Sequence, residues 1–159
     1  MTSIQIRPIE EADEGWITSI LEKQWGSVNI VTRGKLYQAN KLPGYISLLD
    51  GKKVGLITYH IDNDCEIITL DTLVQNKGIG TALVGKVKET AKEENCKRVW
   101  LITTNDNMKA LRFYQKRGFV LSALYLNALE ESRKLKPEIP QIGINNIPLR
   151  DEIELEFKL

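Results

Sequence analysis

The chain has little of the residue types that build metal sites and disulfide frameworks. Its 159 residues include one histidine and two cysteines, Cys65 and Cys96, with no Cys-x-x-Cys pair. We therefore expect no metal and no structural disulfide. A chain without paired cysteines is typical of a reducing compartment, so the expected location is cytoplasmic.

Long apolar runs and a strong charge of one sign are also missing. No run approaches the roughly twenty apolar residues that cross a bilayer, and residues 1–5 lack the blocks of a signal peptide. The formal net charge is +1, which gives no reason to expect nucleic acid or a membrane as a partner. With 42% hydrophobic and 27% charged residues, residues 1–159 are expected to form a single globular domain.

Hydrophobic periodicity divides the chain into strands and helices. Strands are predicted from Ile4 and over Gly44–Leu49, Val54–Ile61, Cys65–Val74, Arg98–Thr103, Phe119–Leu126 and 152–159. Helices are predicted over Glu10–Gln24, Lys35–Ala39, Ile79–Glu94, Asn107–Lys116 and Ala128–Leu135. Charges alternate with apolar residues in 152–159, which predicts a half-buried strand at the end of the sheet, after an irregular excursion over 128–150. The predicted fold class is α/β (α+β-like), with a central mixed sheet of about seven strands flanked by helices.

The most informative segment is Gln75–Ala82, which follows an apolar run and opens an amphipathic stretch. A helix that begins at two glycines leaves backbone N–H groups exposed, and the positive end of its dipole adds to them. This arrangement suits a phosphate group, because Gly78 and Gly80 have no side chain to keep a ligand from the backbone. A turn that binds nothing is the alternative, since Gly-x-Gly alone is a weak signal.

Two common nucleotide-binding motifs do not fit this spacing. A dinucleotide fingerprint needs a third glycine where this chain has Leu83, and a later acidic residue where Lys97–Trp100 is basic and apolar. A P-loop needs a Gly-Lys-Ser/Thr sequence that is absent here. Both nucleotide-binding interpretations therefore fail on spacing.

A second motif follows the next apolar strand and reads Asn107-x-x-Ala110-x-x-Phe113-Tyr114-x-x-x-Gly118-Phe119. Together with the glycine turn, it resembles the two signature segments of the GNAT superfamily of acyl-CoA-dependent N-acyltransferases. The turn matches the family's Gln/Arg-x-x-Gly-x-Gly/Ala pattern at every defined position. The resemblance extends from Ile4 to about Tyr125.

The resemblance implies the GNAT fold, in which the two parallel central strands splay apart and admit the coenzyme arm. It also implies acetyl-CoA as co-substrate, bound by a core of about residues 65–120. The implied coenzyme-binding residues come from the strand end, the turn and the second motif: Thr72, Leu73, Val74, Gln75, Lys77, Gly78, Ile79, Gly80, Thr81, Asn107 and Tyr114. Asn107 could instead serve as a helix N-cap, and Lys77 could be a solvated turn lysine.

The catalytic residues that the resemblance implies are Tyr114 and Glu66. Tyr114 is the expected general acid toward the departing thiolate, and core packing beside Phe113 is its alternative role. Glu66 is the expected base, which would take the proton of the amine through water. Asp64 and Asp71 compete for this role, because the loop before the glycine turn is about two residues shorter than in many family members.

The function implied is transfer of an acetyl group from acetyl-CoA to a primary amine of a small molecule or peptide, by direct attack in a ternary complex. An acyl-CoA-binding sensor or interaction domain without efficient turnover is the alternative. His60 and both cysteines are expected to be structural, and core packing is the favoured role of Trp16, Trp25 and Trp100. The sequence also allows a homodimer through the last strand or the 128–150 excursion.

Overall fold

The structure, a computed structural model, describes residues 3–159. Met1 and Thr2, which begin the predicted domain and the stretch considered for a signal peptide, lie outside the described residues. The described chain divides into two compact units, of which the first comprises residues 3–30, Tyr37–Val99 and Leu159. The second comprises Val31–Leu36 and Trp100–Lys158. The single-domain organisation stays a prediction.

Nine strands and four α-helices are formed by the described residues. The strands are Ile4–Pro8 (β1), Asn29–Thr32 (β2), Lys35–Gln38 (β3), Gly44–Leu49 (β4), Lys52–Ile61 (β5), Cys65–Thr72 (β6), Arg98–Thr104 (β7), Val120–Tyr125 (β8) and Glu152–Lys158 (β9). The helices are Glu14–Trp25 (α1), Ile79–Glu93 (α2), Met108–Lys116 (α3) and Ala128–Leu135 (α4). Seven strands form one sheet in the order β1-β4-β5-β6-β7-β9-β8. The predicted fold class, a mixed sheet of seven strands flanked by helices, is confirmed. Within residues 3–159, no helix is both long and apolar enough to cross a bilayer.

The helix predicted over Lys35–Ala39 is wrong, because these residues belong mostly to a two-stranded hairpin of β2 and β3. Its two-residue turn consists of Arg33 and Gly34, with φ of 47° and 75°. Positive φ at both central residues gives the turn the twist that a tight hairpin needs. Mixed polarity hid the strands, and an arginine in the first turn position is not a usual hairpin signal.

The last strand is correctly predicted as a strand, but its position and exposure differ from the prediction. β9 lies between β7 and β8, and β8 is the edge of the sheet. Glu152 and Glu154, expected on a solvated face, are only 2% and 8% exposed. The Arg33 guanidinium pairs with Glu152 at 3.0 Å, while Ser122 and Tyr125 donate hydrogen bonds to Glu154. Alternation therefore identified the strand correctly and assigned its charged face wrongly, since paired carboxylates can be buried.

In the first unit, α1 packs on one face of the strands β4 and β5. Leu21 of α1 is fully buried in a hydrophobic cluster that also holds Ile46 of β4 and Leu56 of β5. The helix ends at Gly26, whose left-handed φ of 78° terminates it directly after Trp25. This packing fixes the end of α1 above one face of the sheet.

Helix α2 packs on the other face of the same strands. Its buried residues include four at near-fourfold spacing, which place one face of the helix against the sheet: Ile79, Leu83, Val87 and Ala91. A Cβ atom built at Gly55 would stand 2.7 Å from Ile79 Cγ2 and 3.1 Å from Leu83 Cδ1. Glycine therefore allows the first turn of α2 to lie this close to β5. Gly55 and Leu56 are neighbours in the strand and so face opposite sides, which places α1 and α2 on opposite faces.

In the second unit, the C-terminal excursion is held by two side chains that follow β7. Asn105 Oδ1 accepts the N–H groups of Arg150 and Asp151, both at 3.0 Å. Buried Asp106 accepts the N–H of Ile144 at 2.8 Å, and Gly143 lies so close that a Cβ atom there would be 2.1 Å from Asp106 Oδ2. The excursion is thus irregular in secondary structure and still specifically fixed.

Candidate active site

The glycine turn begins α2 in the conformation that the phosphate hypothesis requires. Gly78 is the N-cap of α2 with a left-handed φ of 71°, and no side chain caps the helix. The first intrahelical bond runs from the Ala82 N–H to the Gly78 carbonyl at 3.0 Å. The amides of residues 79–81 therefore precede the first intrahelical bond, at the positive end of the dipole. A Cβ atom at Gly78 would meet nothing within 4 Å, so the approach to this turn is open.

The residues before the turn are exposed. Gln75, Asn76 and Lys77 all lie in solvent, and Asn76 has a positive φ of 60°. Asparagine tolerates this conformation better than most residues. Lys77 therefore brings a positive charge to the solvent-facing side of the turn, where an anionic ligand would approach.

At the end of β6, only some backbone N–H groups are used by hydrogen bonds within the sheet. The Leu73 N–H donates to the Val54 carbonyl at 2.8 Å, which extends the pairing with β5 beyond Thr72. Backbone groups of successive strand residues point to opposite edges. The Thr72 N–H consequently points away from β5, whereas the Leu73 N–H is engaged within the sheet.

A β-bulge interrupts the pairing of β5 with β6. Tyr59 is opposite Ile67 and Thr58 is opposite Thr69, so that Ile68 is an extra residue on β6. The bulge changes the alternation of side chains along β6, because one residue no longer has a cross-strand partner. On each side of Ile68, a residue of β6 lies on the same face of the sheet as its cross-strand partner on β5.

This assignment places Glu66 and Asp71 on the same face. Their cross-strand partners are His60 and Leu56, which are four residues apart on β5 and so share a face. Leu56 belongs to the cluster beneath α1. Both carboxylates consequently lie on the α1 face of the sheet, and the Thr58 and Thr69 hydroxyls, 2.6 Å apart, lie between them.

Glu66 is buried, with 4% of its surface exposed. Burial raises the pKa of Tyr37, and the negative charges of Glu66 and Asp62 raise it further. The Tyr37 and His60 rings lie with centroids 5.2 Å apart. Glu66 therefore belongs to a polar cluster with Tyr37 and His60.

The two competing carboxylates have different surroundings. Asp64 accepts from the Arg98 guanidinium at 3.2 Å and from the Lys97 N–H at 3.3 Å, so it forms a structural ion pair. Asp71 accepts from the Trp25 indole N–H, with Nε1 at 3.0 and 3.1 Å from its two oxygens. Burial raises the pKa of Asp71 to about 6, although the hydrogen bond from Trp25 opposes this rise.

Asn107 and Tyr114 belong to the second unit. The Asn107 side-chain oxygen accepts the Ala110 N–H at 3.1 Å, so the residue is the N-cap of α3. Tyr114 is 6% exposed and packs edge to face against Phe113 and Phe119, with ring centroids 5.0 and 5.3 Å away. The tyrosine ring is thereby fixed, which suits core packing and a positioned hydroxyl equally.

The cysteines are buried and free. Burial raises the pKa of the Cys65 thiol to about 12, and the nearby Cys96, Glu66 and Asp64 add to the rise. A thiol in this state has almost no thiolate at neutral pH, so it is a poor nucleophile.

Two residues of the first unit have roles that the sequence did not reveal. Gly55 lets the first turn of α2 approach β5, and its position inside a predicted strand was the available signal. Trp25, expected to favour core packing, is 41% exposed and contacts Asp71. No sequence pattern links Trp25 with Asp71, because they are distant in the chain.

Known proteins resemble the chain in sequence and in fold. A family model described as Acetyltransferase (GNAT) family matches residues 9–119. Protein YxbD of Bacillus subtilis (strain 168) is 47% identical over 158 residues, covering 98% of this chain and 99% of that protein. An IAA acetyltransferase from Bacillus cereus ATCC 14579 superposes with a TM-score of 0.71 and 22% identity, over 99% of this chain and 100% of that chain. A Bacillus subtilis acetyltransferase in complex with CoA gives a TM-score of 0.70 and 21% identity, over 99% of each chain.

Proposed function

This chain belongs to the acetyltransferase (GNAT) family, and we propose that it transfers an acetyl group from acetyl-CoA to a primary amine of a small molecule or peptide. The observation that carries the proposal is the turn at Gly78, a left-handed glycine that opens α2 without a side-chain cap. Such a turn suits the diphosphate of a coenzyme. The CoA bound to a protein of the same fold supports this choice of ligand.

The coenzyme is held mainly by backbone groups. The N–H groups at Gly78, Ile79, Gly80 and Thr81 bind the diphosphate, and Gln75 and Lys77 border it. The backbones of Thr72 and Val74 bind the pantetheine arm, and the Thr72 N–H supports this because it points away from β5. Leu73, whose backbone N–H is engaged within the sheet, contributes through its side chain, and Asn107 adds a polar group while it caps α3.

The acceptor attacks directly. The amine nitrogen forms a bond to the thioester carbonyl carbon, the carbon–sulfur bond breaks, and the products are an amide and CoA. Glu66 takes the proton of the amine through a water molecule, because a buried carboxylate among polar groups is suited to this task. A covalent cysteine intermediate is disfavoured by the raised pKa of Cys65.

The leaving thiolate is protonated by Tyr114. A phenol keeps its proton at neutral pH, with an unperturbed pKa of about 10. Contacts with Phe113 and Phe119 hold the ring in one orientation, which favours transfer to a fixed atom.

The decisive experiment measures CoA release from acetyl-CoA in the presence of pooled amines, with mass spectrometry of the products. We expect amine-dependent release and a product heavier than one of the amines by an acetyl group. If acetyl-CoA binds but no amine in a broad panel promotes release, the sensor function is favoured instead.

Location and assembly follow as further parts of the proposal. Two free, buried cysteines support a cytoplasmic enzyme. A homodimer through the last strand or the 128–150 segment stays a prediction. β9 is an internal strand and has no free edge, so of these two the 128–150 segment is favoured. Light scattering of the purified protein measures its mass in solution.

A further inference from the structure

The contact between Trp25 and Asp71 occupies an unusual position for a structural hydrogen bond. Trp25 is the last residue of α1, and the residue is 41% exposed. Its indole N–H donates to both oxygens of Asp71, near the end of β6 on the α1 face. The pair therefore lies at the border of the core, where an aromatic ring and a carboxylate both meet solvent.

Asp71 lacks the partner that the other buried or half-buried aspartates of the first unit have. Asp13 pairs with Arg7 at 2.7 Å and with Lys53 at 2.8 Å. Asp64 pairs with Arg98 at 3.2 Å. Among residues 3–159, no arginine or lysine forms an ion pair with Asp71, and Trp25 is its hydrogen-bond donor. A half-buried carboxylate without a cation retains a strong preference for one.

The chemistry of the pair suits an alkylammonium group. The two carboxylate oxygens offer about four lone-pair directions, and a single N–H shared between them leaves most available. The exposed face of an indole ring is the best aromatic surface for a cation. A neutral or anionic ligand would gain neither the charge attraction to the carboxylate nor the cation–π contact with the indole ring.

We propose that Trp25 and Asp71 form a subsite for a second cationic group of the acceptor, so that the preferred acceptors are diamines or polyamines. The inference rests on the proposed function and adds the substrate class to it. Glu66 and Asp71 share the α1 face, and their partners His60 and Leu56 are four residues apart. Four residues of a strand span about 13 Å, which is therefore the separation of Glu66 and Asp71 along the sheet. One amino group reacts on the Glu66 side of Asp71 while the other is held by the pair.

The electrostatic state of Asp71 supports the subsite. Burial raises the pKa of Asp71 to about 6, so the carboxylate is still mostly ionised at neutral pH. A bound ammonium would replace part of the hydration that burial removes. Stability is therefore reduced in the absence of the ligand, as expected of a binding residue rather than a structural one.

The test compares two acceptors of matched length, hexylamine and hexamethylenediamine. We expect the enzyme to prefer the diamine in kcat/KM. In Asp71→Asn, the ratio of kcat/KM for the diamine to that for hexylamine falls about tenfold, the loss expected for a charged contact of roughly 1.4 kcal/mol. Trp25→Phe lowers the same ratio less, because a ring remains and the hydrogen bond is lost. Asp50→Asn is the control: Asp50 is exposed in the β4–β5 turn at a φ of 51° that asparagine adopts readily, and the ratio should not change.

Three outcomes overturn the proposal. If Asp71→Asn lowers kcat/KM for both amines by the same factor, Asp71 acts in the chemistry and not in recognition. If the wild type acetylates hexylamine as well as the diamine, the subsite is absent although the acetyltransferase function stands. If neither amine is acetylated, nuclear magnetic resonance decides: titration with the diamine must shift the Trp25 indole N–H signal, assigned by its loss in Trp25→Phe, and an unchanged signal rejects the subsite.

Discussion

Glu66 and Asp71 lie on the same face of β6, although five positions separate them in sequence and a regular strand would place them on opposite faces. The reason is the bulge at Ile68, which adds one residue between Ile67 and Thr69. The bulge thus brings two carboxylates to the α1 face. The proposed base and the proposed cation subsite follow from this one irregularity.

Two similar substitutions, one at the N-cap of α2 and one inside the helix, should have opposite effects on stability. Gly78→Ala forces a Cβ into a left-handed conformation, which costs about 1–2 kcal/mol and distorts the turn. We expect the Kd for CoA to rise about tenfold. Gly85→Ala is the matched control: nothing lies within 4 Å of a Cβ there, so the helix should gain about 1 kcal/mol and keep its CoA affinity. Urea unfolding and calorimetry measure both effects, and equal CoA affinity in the two variants would contradict the role of the turn.

Loss of the Tyr114 hydroxyl should slow the chemical step. Tyr114→Phe keeps the contacts with Phe113 and Phe119 and removes the proton donor, so kcat at neutral pH should fall about 100-fold with little change in CoA affinity. Tyr125→Phe is the control in the same unit, because it removes a hydroxyl that donates to Glu154. Steady-state kinetics decide, and an unchanged kcat in Tyr114→Phe would assign this tyrosine to core packing alone.

Asp71 should make stability fall as pH rises. Its folded pKa of about 6 exceeds the unfolded value of about 3.9, so the folded state binds more protons between these values. Asp71→Asn removes this penalty and should gain about 1–2 kcal/mol at pH 8 and nothing below about pH 4. Urea unfolding at the two pH values measures the difference. A gain that is equal at both would show that ionisation of Asp71 is not its cause.

Asp13→Asn should change the free energy of unfolding in the opposite direction in the same assay. The Arg7 guanidinium and the Lys53 ammonium hold the pKa of Asp13 well below its usual range, although burial opposes them. Its contribution to stability is therefore present above about pH 4 and is lost as pH falls through the folded pKa. We expect the variant to lose about 3 kcal/mol at pH 8, since two cations lose their buried partner.

The C-terminal excursion should loosen when Asp106 is replaced. In Asp106→Ala the Ile144 N–H and the Thr104 hydroxyl lose their acceptor, which costs about 1–3 kcal/mol. Hydrogen exchange of the Ile144 amide should become faster. Asp106→Asn keeps an acceptor oxygen and should show a smaller effect. Exchange at the wild-type rate in Asp106→Ala would mean that other contacts hold the segment.

Local chemistry explains the elements that the sequence predicted well. The Asp50-Gly51 turn has φ of 51° and 81° because these residues accept positive values, and it joins two of the predicted strands, β4 and β5, in a hairpin. The buried face of α2 follows directly from fourfold spacing. In both cases the deciding information lies within a few consecutive residues.

The features that the sequence missed depend on partners far along the chain. The bulge that moves the Asp71 side chain to the other face of the sheet depends on pairing with β5. The contact of Asp71 with Trp25 depends on where α1 ends. Burial of Glu152 depends on Arg33, which lies in the turn of a hairpin whose second strand was predicted as a helix. Periodicity describes one element at a time and carries no information about such contacts.

The most direct test of coenzyme binding at the glycine turn is a titration of isotope-labelled protein with CoA, followed through the backbone amide signals. Saturable binding should shift the signals of Gly78, Ile79, Gly80 and Thr81 most strongly, because their N–H groups would bond to the diphosphate. Unchanged signals at these four residues in a saturated sample, or the absence of any binding, would contradict the account.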